Sequence, residues 1–198
     1  MGKWIRTTLI GLALGLPTLG AAQFSESYNF LKAVKDRDGA EATKFLGKPG
    51  SVIVDTHDLT NGETALHIVT KDRDLQWLHF LLSKGAKPDA RDRLGETPLL
   101  IATRFNFVEG VEYLLAFHAG VDVANNNGET ALIRAVQNNN IALVKILLSG
   151  GANPDRTDHV AGLSARDYAK RDSRNPAMLT VFDETAVAKP KPKAGPSL

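Results

Sequence analysis

Gly62-Glu63-Thr64-Ala65-Leu66, Gly95-Glu96-Thr97-Pro98-Leu99 and Gly128-Glu129-Thr130-Ala131-Leu132 are three copies of one pattern, with their glycines 33 residues apart both times. The doublets Leu81-Leu82, Leu114-Leu115 and Leu147-Leu148 keep the same step, as do Ala86, Ala119 and Ala152. A fixed period of this length marks a unit that cannot bury its apolar face alone and stacks on its neighbours, which is a solenoid. Each copy carries its own folding signals. Gly62, Gly95 and Gly128 stand where a tight turn needs φ > 0. Thr64, Thr97 and Thr130, two residues on, are placed as helix N-caps whose hydroxyls accept an otherwise orphan backbone N–H. Pro98 suits the first helical position, where a missing N–H costs nothing. Gly162-Leu163-Ser164-Ala165 repeats the turn-and-cap logic at a step of 34, with Ala161 as the inserted residue.

Outward from these turns, apolar residues recur at helical spacing: Leu75, Leu78, Leu81, Leu82; Val108, Val111, Leu114, Leu115; Ile141, Val144, Leu147, Leu148. These stripes read as the core between repeats. Gly85 and Gly151 fit left-handed helix stops, and His118 occupies the matching point in the middle repeat at a cost of about 1 kcal/mol. Tyr28 to Leu46 lacks the Gly-Xaa-Thr signal but keeps a two-helix pattern (Phe30, Leu31, Val34, then Ala42, Phe45, Leu46) with a polar remainder suited to a cap. Gly47-Lys48-Pro49-Gly50 ends it with breakers, and Ser51 to Val54 reads as an extended lead into the first turn. Ser164 to about Phe182 reads as a truncated C-terminal cap.

The repeated turn, Thr cap, Leu doublet and Ala at this period resemble the ankyrin-repeat family. The resemblance implies an all-α repeat solenoid whose unit is a β-turn finger followed by two antiparallel helices. It divides the domain, 24–183, into three full repeats (58–90, 91–123, 124–157) between an N-terminal cap (24–57) and a C-terminal cap (158–183). His67 completes the Thr-Xaa-Leu-His tetrapeptide of that family, which implies a structural imidazole hydrogen-bonded across the turns. Leu100 and Ile133 replace it in the next two repeats, whose turns are then held by packing alone.

Residues 1–22 read as a signal peptide: Lys3 and Arg6, an apolar run from Thr7 to Leu19, then Gly20-Ala21-Ala22 with cleavage after Ala22. The competing reading is an uncleaved anchor, against which stand Pro17 and a run shorter than the ~20 residues a span needs. The absence of cysteine excludes disulfides and thiolate chemistry, and with the leader it suits the periplasm of a Gram-negative bacterium. Lys3 and Arg6 are unopposed by any acid in the leader, so the formal charge of +2 becomes zero for residues 23–198. No basic stripe of the kind nucleic acid requires is present. Residues 184–198 read as a disordered Lys/Pro-rich tail whose Lys189, Lys191 and Lys193 serve either a weak envelope contact or solubility.

No catalytic, metal or cofactor motif emerges. The five histidines, His57, His67, His79, His118 and His159, are scattered along the array, without His-x-x-x-His, His-Glu-x-x-His or paired carboxylates. The expected activity is non-catalytic protein binding, by a monomer, to another exported protein. The resemblance places contacts on the concave face: Glu63 and Lys71 in the first repeat, Arg93, Glu96, Arg104 and Phe105 in the second, Glu129, Gln137 and Asn138 in the third. Glu63, Glu96 and Glu129 form either an acidic ladder or a set of carboxylates favouring helix N-termini. Phe105, mid-array beside Arg104, is either an interface anchor or an aromatic packed on Phe107. Arg134 stands where the neighbouring repeats have Ile68 and Ile101, and either snorkels outward or meets a carboxylate. An envelope-associated protein held by its tail is the alternative reading; an exported enzyme ranks below both.

Overall fold

The computed structural model describes residues 19–47, 52–172 and 175–188. Within them the chain forms ten α-helices in five antiparallel pairs. The N-terminal pair is α1 (Leu19–Lys35) and α2 (Gly39–Leu46). Three near-identical pairs follow: α3 (Ala65–Lys71) with α4 (Leu75–Ser83), α5 (Pro98–Arg104) with α6 (Val108–Ala116), and α7 (Ala131–Gln137) with α8 (Ile141–Ser149). The last pair is α9 (Ala165–Arg171) and α10 (Ala177–Ala188). First helices stack closely on first helices, and α4 on α6 and α6 on α8 more loosely, so through the full repeats the first-helix side is the inner, concave one; α8 and α10 pack as closely as the first row.

The sequence signals act where they stand. Gly62, Gly95 and Gly128 take φ of 78°, 74° and 76°. Thr97 and Thr130 accept from the N–H of Leu100 and Ile133 at 3.3 Å, and Ser164 with Asp167 closes a reciprocal capping box. His118 is indeed left-handed, at φ 63°. A second left-handed position, between the helices of the first four pairs, was not foreseen: Arg37, Arg73, Asn106 and Asn139, at φ 52–59°. It lets the chain reverse in three residues, and Asp38, Asp74 and Asn140 directly after it cap the second helix by accepting from a backbone N–H. Phe107 holds that position in the middle pair with no capping side chain. One continuous core runs through all five pairs, from Phe30 and Val34 through Leu66, Leu99 and Leu132 to Phe182.

Three boundaries differ from expectation. Helix α1 begins at Leu19, ahead of the expected domain start at 24, and Ala21, Ala22 and Gln23 are good helix formers. The expected signal peptide therefore lies outside the described residues up to 18, and its last four residues form the first turn of α1. Ile53–Asp55 is a 3-10 turn rather than an extended segment, burying Val54 against the first two helices. The Asp55 carboxylate accepts from the Lys87 N–H at 2.8 Å, a role repeated by Asp89 toward Gly120 and Asp122 toward Asn153. Helix α10 runs to Ala188, so residues 184–188 belong to the last helix and not to the tail; Ala186 and Ala188 favour it, and Pro190 soon after cannot continue one. Lys189, Lys191 and Lys193 lie outside the described residues.

Candidate functional site

Each finger is built on one acidic or amide side chain. Asp58, Asp92, Asn125 and Asp158 point a side-chain oxygen back over the turn. Asp92 accepts from Leu94 and Glu96 N–H at 2.8 Å, and Asn125 from Asn127 and Glu129 at 3.0 and 3.1 Å. Asp58 accepts from the Thr60 hydroxyl and N–H, which with Lys35 hold its carboxyl down to about 2. Successive fingers are stitched by one backbone bond each: Arg93 N–H to Asn61 C=O at 3.1 Å, Asn126 to Leu94 at 3.1 Å, His159 to Asn127 at 2.8 Å. The fingers are thus one hydrogen-bonded ledge.

His67 locks the base of the first finger. Its Nδ1 accepts from the Thr64 N–H at 3.1 Å, which can only donate, so Nε2 carries the proton and donates to the Glu96 C=O at 2.9 Å. Thr64 Oγ1 lies 2.8 Å from the same Nδ1 and donates to it. Burial lowers the imidazole pKa, with the Glu96 carbonyl opposing, and favours the neutral ring.

The three finger glutamates are not an open acidic ladder. Glu63 Oε1 meets Lys71 Nζ at 2.5 Å, and Glu96 is 4% exposed. Arg134, 7% exposed, grips Glu96 with both guanidinium nitrogens at 2.6 and 2.9 Å, donates to the Leu100 C=O at 3.0 Å and also contacts Glu129. Asn125 Nδ2 adds bonds to Glu96 at 2.8 Å and Glu129 at 3.1 Å. Burial alone would raise the Glu96 pKa; the bonds from Arg134 and Asn125 overcome it and leave the carboxyl below its usual range. Burial would lower the Arg134 pKa, and the two glutamates hold it up instead. Arg134 therefore does not snorkel: it replaces the isoleucine of the other repeats to neutralise two inward carboxylates. Glu96 is removed from the contact set by burial, and Glu63 and Glu129 are largely spent on internal pairs.

Exposed side chains remain in the second repeat and beyond. Arg104 lies 4.0 Å from Glu96 and stacks over the Phe105 ring at 5.2 Å; Phe105 is 39% exposed. Arg93 is exposed, its guanidinium bonded to the Leu59 C=O. Gln137 and Asn138 are exposed at the matching edge of the third repeat, with Asn138 Nδ2 bonded to the Thr103 C=O at 3.1 Å. Leu59, Leu94 and Val160 stand exposed on finger tips. A groove of about 420 Å³, lined in part by Tyr28, Leu31, Lys32, His57 and Leu59, separates α1 from the first finger.

A family model described as three copies of the ankyrin repeat matches residues 30–124 and again 66–158. The chain belongs to the ankyrin-repeat family. Ankyrin repeats are in general protein–protein interaction modules, and the family is typically non-catalytic. In this ankyrin protein Arg104 and Phe105 stand together at the end of α5, Arg93 lies on the same repeat's finger with its guanidinium turned to the first finger, Gln137 and Asn138 lie one repeat away, and Glu96 is buried. The Arg134–Glu96–Glu129–Asn125 network escaped sequence reasoning as a network. The signal was present in Arg134 itself, a charge at an isoleucine position. Among the described residues no group of three or more His, Asp or Glu side chains is placed to hold a metal ion, and no helix is long and apolar enough to cross a membrane.

Proposed function

We propose that this ankyrin protein is an exported adaptor that binds another exported protein through the centre of its concave face. The observation that carries the reading is the Arg104–Phe105 pair. A half-exposed aromatic ring under a guanidinium sits mid-array at the C-terminal end of α5, in an array whose fingers are each cross-bonded to the next. Arginine and aromatic side chains dominate interface energetics near the centre of a patch, and a pre-ordered surface loses little entropy on binding. Export rests on the leader reading of residues 1–22, and the periplasm of a Gram-negative bacterium on that leader together with the absence of cysteine.

The test is affinity capture from a periplasmic fraction with the wild-type chain and with Arg104→Glu/Phe105→Ala. A partner recovered by the first and lost by the second is expected; one retained equally by both refutes the concave centre as the interface. Removing residues 189–198, which spares α10, separates the adaptor from an envelope tether. An adaptor keeps its partner without the tail, whereas a tether leaves the membrane fraction.

A further inference from the structure

We propose that the concave centre is a receptor for an acidic protein segment carrying an apolar or aromatic side chain, a reading that rests on the proposed adaptor role. Three glutamates at equivalent finger positions suggest an acidic face, but the structure reverses the sign. Each carboxylate is drawn inward, Glu63 to Lys71 and Glu96 and Glu129 to Arg134. Arg134 already satisfies both Glu96 oxygens, so Arg104 is left 4.0 Å away with its side chain 44% exposed. Arg91 and Arg93 stand exposed on the same repeat's finger and meet neutral acceptors, the Asn126 amide and the Leu59 carbonyl. Among the described residues no carboxylate lies within ion-pair distance of either. The nearby Asp92 directs one oxygen into its own turn. On the finger and first helix of the second repeat the outward cations are therefore three guanidinium groups, while Glu109 and Glu112 of the same repeat lie exposed on α6.

Leu94, 67% exposed on the finger, and Phe105, stacked under Arg104 at the end of α5, add apolar surface. Guanidinium forks match carboxylates bidentately, and apolar contact between them supplies the dehydrated anchor. The patch is one repeat wide. The third repeat offers neutral Asn126, Asn127, Gln137 and Asn138 at the corresponding places, and the first offers Lys71, engaged by Glu63. A short acidic segment fits such a patch; the extended basic track that a nucleic acid follows is missing.

The experiment is fluorescence anisotropy on the full chain with labelled synthetic probes: a short peptide alternating Asp around a central Phe, its Asn and Lys counterparts, an oligothymidine of similar length, and vesicles containing anionic lipid. The Asp peptide is expected to bind at least about tenfold more tightly than the Asn peptide at low salt and to weaken as salt rises. Arg93→Gln/Arg104→Gln, checked for an unchanged circular dichroism spectrum, is expected to remove that preference. Arg93→Lys/Arg104→Lys restores part of it, and Lys189→Gln/Lys191→Gln/Lys193→Gln leaves it unchanged. Equal binding of the Asn peptide, a preference for oligothymidine or vesicles, or loss through the tail variant overturns the proposal. No binding of the Asp peptide, while a captured partner still depends on Arg104 and Phe105, overturns the acidic chemistry and leaves the concave interface standing. A partner indifferent to Arg104 and Phe105 overturns both.

Discussion

Replacing Arg134 by methionine keeps much of the side-chain volume and removes the charge that two glutamates were folded around. Glu96 then remains 4% exposed with its carboxylate deprived of two bonds, at 2.6 and 2.9 Å, and the Leu100 carbonyl loses its 3.0 Å donor. Removing one partner of a buried ion pair costs about 3–5 kcal/mol, because the desolvated survivor is left uncompensated. For a domain of this size each kcal/mol lowers the melting temperature by roughly 2–4 °C, so the expected loss is roughly 6–20 °C at pH 7. The sign with pH follows from Glu96. In the wild type its pKa is held below the unfolded value, so its contribution is present above that value and is lost on acidification. In Arg134→Met burial dominates and raises the folded pKa above the unfolded one, so the penalty is greatest at neutral pH and shrinks as pH falls through the raised value. Urea unfolding followed by far-ultraviolet circular dichroism at pH 7 and pH 5 measures both. Adding Glu96→Leu to the same chain removes the stranded charge and is expected to recover most of the loss, since buried pairs exchanged whole for apolar residues are often near neutral. A loss under about 1 kcal/mol, or one independent of pH, refutes the reasoning by showing that Glu96 is solvated, or taken up by Arg104 from 4.0 Å away, when Arg134 is absent.

Three further outcomes follow from local geometry. His67→Leu, which copies the residue of the second repeat, strands the Thr64 N–H and the Glu96 C=O and is expected to cost about 2–4 kcal/mol in urea melts. Because the His67 pKa is lowered by burial, wild-type stability rises with pH between the folded and unfolded values, by up to about 1.4 kcal/mol per pH unit, and the leucine variant lacks that slope. Gly62→Ala and Gly85→Ala share a positive φ (78° and 84°), but an added Cβ at Gly62 meets the Arg93 backbone nitrogen at 2.9 Å while Gly85 has nothing within 4 Å. Gly62→Ala should therefore be the worse by more than the roughly 1 kcal/mol that the φ alone costs, and equal losses would discount the stitching of the fingers. His118→Gly relieves a left-handed residue at φ 63° and is expected to raise the melting temperature by roughly 2–4 °C, a gain of about 1 kcal/mol; no rise would mean that the His118 side chain offsets its strain.

The fold was legible because its information is local and repeated. A glycine at φ near 75°, a threonine two residues later and a leucine doublet at a fixed step each act within one turn of chain, and three copies leave little room for a second interpretation. The boundaries were less legible for the opposite reason: α1 starts early and α10 ends late where no repeated signal stops them. The site was hardest to read, because its sign depends on which side of the ledge a charge faces. Glu63, Glu96 and Glu129 are identical in sequence context, yet one pairs with Lys71 and two with Arg134, a residue 38 positions beyond Glu96. Only the stacking of α7 against α5 brings that arginine under the second finger. The departure of Arg134 from the repeat was visible in the sequence, while its consequence was not: by absorbing the carboxylates from below, it frees Arg104 to face outward. In this array the residue that breaks the period is therefore a stronger pointer to the proposed binding surface than the residues that keep it, since the period serves the frame common to all copies and the exception serves one face of one copy.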